Sequence, residues 1–179
     1  MEKDRRYAVI RPMFTRGRIQ TFNDIFKQVP KTIVARDLGK DNNRFTELID
    51  SPGDFTIEEI IELDSLCQLE LTQMAVLLEP ECKRYEIENT ESKDSRYKSI
   101  RPMFEEGQIR LFEDIFYVPK STVATDIDKK RERFYYLMDH VEEFLVKDIF
   151  RIGQLCELTL PEMFQLVEAQ YKKQTKPKK

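Results

Sequence analysis

Apolar positions along this chain recur at intervals of three and four. Phe22, Ile25, Phe26 and Val29 do so, then Ile57, Ile60 and Ile61, then Leu63, Leu66 and Cys67. That spacing collects apolar side chains on one face of a helix. No stretch sustains the alternation of a β-strand, so the pattern predicts an all-α fold. Local punctuation agrees. Thr56-Ile57-Glu58-Glu59 has the order of a capping box, with Phe55 and Ile60 at staple positions, and predicts a helix starting near Ile57. Pro30 and Pro119 suit first turns. Gly17, Gly39, Gly53 and Gly107 fall where helices should stop.

The pattern occurs twice. Tyr7, Ile10, Arg11, Pro12, Met13, Phe14, Gly17, Ile19, Phe22, Asp24, Ile25 and Phe26 return ninety residues later, from Tyr97 to Phe116. One residue is then lost, and a spacing of eighty-nine holds from Val29-Pro30-Lys31 and Val118-Pro119-Lys120 to the end of the module. The repeat predicts two tandem domains over 5–80 and 96–171, each of about five or six short helices, with a polar linker at 81–95 and a basic tail at 172–179. In the second copy Leu145 stands where Thr56 caps the first, a loss that costs on the order of 1 kcal/mol.

Within each copy one segment carries most of the information. In Pro30–Leu48, Val34 and the small Ala35 precede Leu38-Gly39, and Phe45 and Leu48 follow. A small residue lets two helices cross closely, and glycine tolerates the positive φ of a tight turn. This segment resembles the helix-turn-helix of the Cro and lambda-repressor-like family. Thr56–Leu63 resembles that family's fourth helix, and Leu69, Leu71 and Met74 the lead into its fifth. Three departures stand out. Lys31 and Lys120 occupy the place where the family usually has Gln. Asp128 replaces Gly39 in the second copy, where aspartate can still adopt left-handed geometry. Tyr7–Phe22 extends upstream of the family's usual first helix.

The resemblance implies a sequence-specific regulator that binds double-stranded DNA. Asn42, Asn43, Arg44 and Thr46 would face base edges in the first copy, and Arg131, Arg133 and Tyr135 in the second. Asn and Arg suit paired hydrogen bonds to adenine and guanine. Lys31, Lys40, Lys120, Lys129 and Lys130 would meet phosphates as point charges. Duplication within one chain would replace the usual dimer, although a homodimer is compatible with it. The alternative is a protein-interaction or structural module that keeps the fold without binding DNA.

Charge bears on both readings. The whole chain carries a formal net charge of -3, with 35% charged residues. Residues 1–50 hold eleven basic and seven acidic side chains, and residues 51–90 hold two and ten. That polarity can orient a protein on a polyanion, while the acidic total favours the alternative.

Other chemistry is sparse. His140 is the one histidine and has no nucleophile at triad spacing. Cys67 and Cys156 are repeat partners on an apolar stripe and read as core, whereas Cys82 falls in the linker and is expected to be accessible. There is no metal-ligand spacing, phosphate loop or paired-carboxylate motif, so neither catalysis nor a cofactor is expected. No apolar run reaches the roughly 18–20 residues that span a bilayer. The cytoplasm of a bacterium, or a phage origin, is the expected setting.

Overall fold

The structure is a computed structural model and describes residues 4–88, 90 and 93–176. Among these the fold is all-α. The helices are α1 (Ile10–Thr15), α2 (Phe22–Gln28), α3 (Lys31–Asp37), α4 (Asn42–Asp50), α5 (Ile57–Cys67), α6 (Leu71–Cys82), α7 (Ile100–Glu105), α8 (Lys120–Asp126), α9 (Arg131–Asp139), α10 (Val146–Leu155) and α11 (Leu160–Thr175). Short 3-10 turns join several of them. Among the described residues no helix is long and apolar enough to cross a membrane.

Each half is organised around four phenylalanines. Phe22, Phe26, Phe45 and Phe55 meet edge to face, with centroids 5.3 to 6.1 Å apart. Phe112, Phe116, Phe134 and Phe144 repeat the arrangement at 5.4 to 5.7 Å. Edge-to-face pairs contribute about 0.5–1.5 kcal/mol each beyond burial. The helices with period-three-and-four stripes therefore close on an aromatic centre.

The residue missing from the second half is absorbed locally. Opposite α2 stands a 3-10 helix, Phe112–Tyr117, one residue shorter. A 3-10 helix rises about 2.0 Å per residue and an α-helix about 1.5 Å, so the shorter segment covers a similar path. Val118 and Pro119 thereby regain the places of Val29 and Pro30. Both prolines stand at the N-cap, one position before the first turn where they were expected.

The halves meet in a reciprocal way. The Ile57 N–H donates to the Phe144 carbonyl, and the Val146 N–H donates to the Phe55 carbonyl, both at 2.9 Å. Residues 57 and 146, and 55 and 144, are repeat partners. A contact in which each side supplies the same groups is isologous and implies a two-fold relation. It also gives the first N–H of α5 and of α10 an acceptor, which helix starts otherwise lack. That acceptor helps compensate the missing side-chain cap at Leu145. Thr56 keeps its cap: its hydroxyl accepts from Glu59 N–H, and its own N–H donates to the Glu59 carboxylate.

Beside this pair, α6 packs along α11. Buried side chains of both halves join in one continuous apolar core. The helix α6 continues through Pro80 to Cys82, and Cys82 is fully buried, contrary to its expected accessibility. Burial holds the Cys67, Cys82 and Cys156 thiols up at about 12, so all three behave as packing groups. Gly53 also differs from expectation. It lies buried in a 3-10 turn, where a Cβ would come within 2.3 Å of the Tyr85 ring. At the C-terminal end α11 includes Lys172 and Lys173 and runs to Thr175. Residues 177–179 of the expected tail, and Asn89, Glu91 and Ser92 of the expected linker, lie outside the described residues.

Candidate nucleic-acid interface

The helices α3 and α4 form one compact unit, and α8 and α9 form its counterpart. In the first, Gly39 N–H donates to Arg36 C=O at 3.0 Å and Lys40 N–H to Ala35 C=O at 2.8 Å. In the second, Asp128 and Lys129 make the same bonds to Thr125 and Ala124. Both turns are Schellman motifs, which require left-handed backbone just past the helix. Gly39 has φ +64° and Asp128 φ 56°, so aspartate does adopt the conformation that glycine adopts in the first copy. Below the turns, Val34, Ala35, Phe45 and Leu48, and likewise Val123, Ala124, Phe134 and Leu137, are buried.

The outward faces of α4 and α9 carry the expected base-reading residues. Asn42, Asn43, Arg44, Thr46, Arg131, Arg133 and Tyr135 are all exposed. Asp41 caps α4 by accepting from the Asn43 and Arg44 N–H groups at 2.8 and 3.2 Å. This leaves the side chains of Asn42 and Asn43 without a bonding partner among the described residues. Arg44 reaches Glu47 at 3.3 Å, a weak exposed pair. The Thr46 hydroxyl donates back to the Asn42 carbonyl, which occupies its proton.

The second face is different in chemistry. Arg133 donates to Glu143 at 3.0 Å and stacks over Tyr136, whose hydroxyl also donates to Glu143 at 2.6 Å. The Tyr136 ring in turn stacks on His140 at 4.2 Å. Tyr135 and Tyr136 are 49% and 42% exposed, and Arg131 has no bonding partner among the described residues. Lys130 stands at the N-cap of α9 and offers it no side-chain acceptor.

The lysines separate into two groups. Lys31 and Lys130 have no ion-pair partner among the described residues, and Lys120 lies only near the Phe116 ring, at 5.8 Å. Lys40 and Lys129 are instead used inside the molecule. Lys40 pairs with Glu59 at 2.6 Å, and its repeat partner Lys129 pairs with Asp148. Asp148 is 2% exposed. Sequence reasoning missed these carboxylates, yet a signal was present. Glu59 and Asp148 are repeat partners, and they keep their charge along with the two lysines.

Among the described residues no group of three or more His, Cys, Asp or Glu side chains is placed to hold a metal ion. No family model, curated protein or solved structure matches the chain.

Proposed function

We propose that this chain is a regulator that binds double-stranded DNA through two lambda-repressor-like helix-turn-helix units in one polypeptide. The observation that supports the reading is that the helix pairs α3–α4 and α8–α9, each with an exposed polar helix, flank the reciprocal Ile57–Phe144 and Val146–Phe55 contact. Each exposed helix ends a few residues before the Phe55–Ile57 and Phe144–Val146 contact at the axis. Paired units of this class read half-sites about 34–36 Å apart in successive major grooves. Asn42, Asn43 and Arg44 are the side chains for base edges in the first unit, and Arg131 is the least encumbered candidate in the second. Lys31, Lys120 and Lys130 are the candidates for phosphates.

Selection of bound sequences from a random duplex pool tests this. The expected product is two half-sites about one helical turn apart, different in sequence because α4 presents Asn42, Asn43 and Arg44 where α9 presents Arg131, Glu132 and Arg133. Absence of binding even at about micromolar chain and low salt overturns the reading, because nonspecific binding alone registers near that range.

One set of observations favours a protein partner instead. Tyr135 and Tyr136 are exposed side by side on α9, and two of the five candidate phosphate lysines are neutralised internally. Exposed tyrosine with arginine is a composition enriched at protein interfaces.

A further inference from the structure

The repeat provides an internal control for charge. In the second half Arg101 is enclosed by acceptors. It reaches Glu105 at 2.6 Å, Glu162 at 2.8 Å and the Glu157 carbonyl at 3.3 Å. In the first half its partner is Arg11, and the residues equivalent to those three glutamates are Thr15, Gln73 and Gln68. Both carboxylates of the enclosure, Glu105 and Glu162, are thus replaced by neutral polar side chains, while the third acceptor is a main-chain carbonyl. Arg11 is exposed and makes no ion pair with any described residue.

Two further exchanges act in the same direction. Glu106 in the second half corresponds to Arg16 in the first, and Gln108 to Arg18. Both arginines are exposed and unpaired among the described residues. Arg11 and Arg16 line one open groove of about 420 Å³, together with Ala8, Pro12, Thr15 and Gln68. The same scaffold therefore presents arginines beside neutral hydrogen-bonding side chains in one copy and a carboxylate cluster around one arginine in the other. A structural role for Arg11 would predict the enclosure in both copies.

We infer that the groove between α1 and the end of α5, lined by Arg11 and Arg16, binds a phosphate group. Two guanidinium forks supply charge and paired donors, the arrangement suited to phosphate oxygens. Gln68 and Thr15 border the same space. Gln68 caps the end of α5 in left-handed backbone, which sets its side chain at the rim. The site is separate from the exposed face of α4, and the inference stands without the base-reading role proposed above. The phosphate can come from a free phosphate-bearing ligand or from the backbone of a duplex.

The test uses the full chain and two ligands, inorganic pyrophosphate and a 20-base-pair duplex (about two helical turns). Arginine side-chain N–H signals are followed by NMR during the pyrophosphate titration. Shifts should localise to Arg11 and Arg16, and Arg11→Gln with Arg16→Gln should weaken binding at least about tenfold. A second variant, Thr15→Glu with Gln73→Glu, keeps both arginines and transplants the enclosure. It should weaken pyrophosphate to a similar extent, while Arg110→Gln in the second half should not. If the arginine variant also lowers the salt slope of duplex binding by about two units, the phosphate is a DNA backbone phosphate. Loss of pyrophosphate binding with an unchanged duplex slope assigns the groove to a free phosphate ligand. The inference is overturned if pyrophosphate leaves the Arg11 and Arg16 signals unmoved, or if neither variant weakens it.

Discussion

The ammonium of Lys40 lies 2.6 Å from one oxygen of Glu59, and the other oxygen of that carboxylate accepts the Thr56 N–H at 2.9 Å. One acidic side chain thus fastens the turn before α4 to the cap of α5. The orientation of the exposed helix is set relative to the two-fold contact that begins at Phe55. Lys129 and Asp148 form the corresponding ion pair in the second half, where Asp148 is buried and the cap residue Leu145 receives no side-chain bond. A buried carboxylate deprived of its cation is strongly destabilising, so this second link is the less dispensable.

Lys40→Ala is therefore expected to act on stability and not on phosphate binding. The pair is partly exposed, so the loss should be about 1 kcal/mol or less in denaturant titration. The salt slope of duplex binding should stay unchanged, whereas Lys31→Ala should lower it by about one unit. A slope that falls in the Lys40 variant would show that its ammonium leaves Glu59 to meet DNA.

How much of this was legible depends on the range of each interaction. The cap at Thr56, the left-handed Gly39 and Asp128, and the buried Phe45 and Phe134 follow from residues close in sequence. So does the burial of Cys67 and Cys156 on an apolar stripe. What was missed involves a choice of partner. The apolar face of α6 announces burial, but nothing in its spacing names α11 as the surface that covers it. Cys82 differs from expectation for this reason: its polar neighbours suggest a linker, while it lies at the end of α6 within the apolar core. The neutralisation of Lys40 by a residue nineteen positions away is also invisible to local pattern, except as joint retention of charge in both copies.

The reciprocal contact between the halves makes a prediction about the isolated first half. A fragment of residues 1–88 exposes a self-complementary surface along α6 and at Phe55–Ile57. It should fold as a homodimer with a concentration-dependent thermal midpoint, visible as a dimer mass in sedimentation equilibrium. A fragment that is monomeric and unfolds cooperatively at all concentrations would show that each half needs no partner.

Phe45 holds α4 against the aromatic centre, touching Phe26 and Phe55 at 5.7 and 6.1 Å. Phe45→Ala should cost about 3–5 kcal/mol, the range for a buried aromatic replaced by alanine. Phe134→Ala should cost a similar amount, because its contacts with Phe116 and Phe144 are equivalent. A loss below about 1 kcal/mol for either, measured by urea unfolding, is incompatible with this packing.

Asp64 gives the molecule a specific pH dependence. Burial, and then the charge of Glu168 on α11, push its carboxyl up to about 7, while the Ser65 N–H and Lys172 act in the opposite direction. In the unfolded chain such a carboxyl ionises near about 3.9. The folded state therefore holds this proton more tightly. Its contribution to stability is fully present below about pH 4 and is lost as pH rises through about 7. Asp64→Asn should flatten that decline, so that the variant gains thermal midpoint over the native chain progressively between about pH 4 and 7. Parallel midpoint curves for the two proteins would show that Asp64 is ionised in the fold at neutral pH.

The two exposed helices should contribute unequally to recognition of DNA. On α4, Asn42 and Asn43 are free of competing bonds among the described residues, and Arg44 is restrained only by an exposed pair with Glu47. Asn43→Ala or Arg44→Ala should therefore cost about 1–3 kcal/mol on the preferred duplex and relax preference at one base pair. On α9 the same replacement at Arg133 removes a side chain already engaged by Glu143 and stacked on Tyr136. Breaking those contacts to reach a base offsets much of what the base would return. The Arg133→Ala change also frees the Glu143 carboxylate, whose pKa is now held low by the Tyr136 hydroxyl and Arg133. Its expected effect is weaker binding to every duplex, with little change in preference. Arg131 has no such restraint, so Arg131→Ala should show the loss of preference that Arg133→Ala lacks. Anisotropy titrations against the selected duplex and its single-base variants separate these outcomes. If Asn43, Arg44 and Arg131 can each be replaced without any change in the ranking of those duplexes, neither helix reads bases.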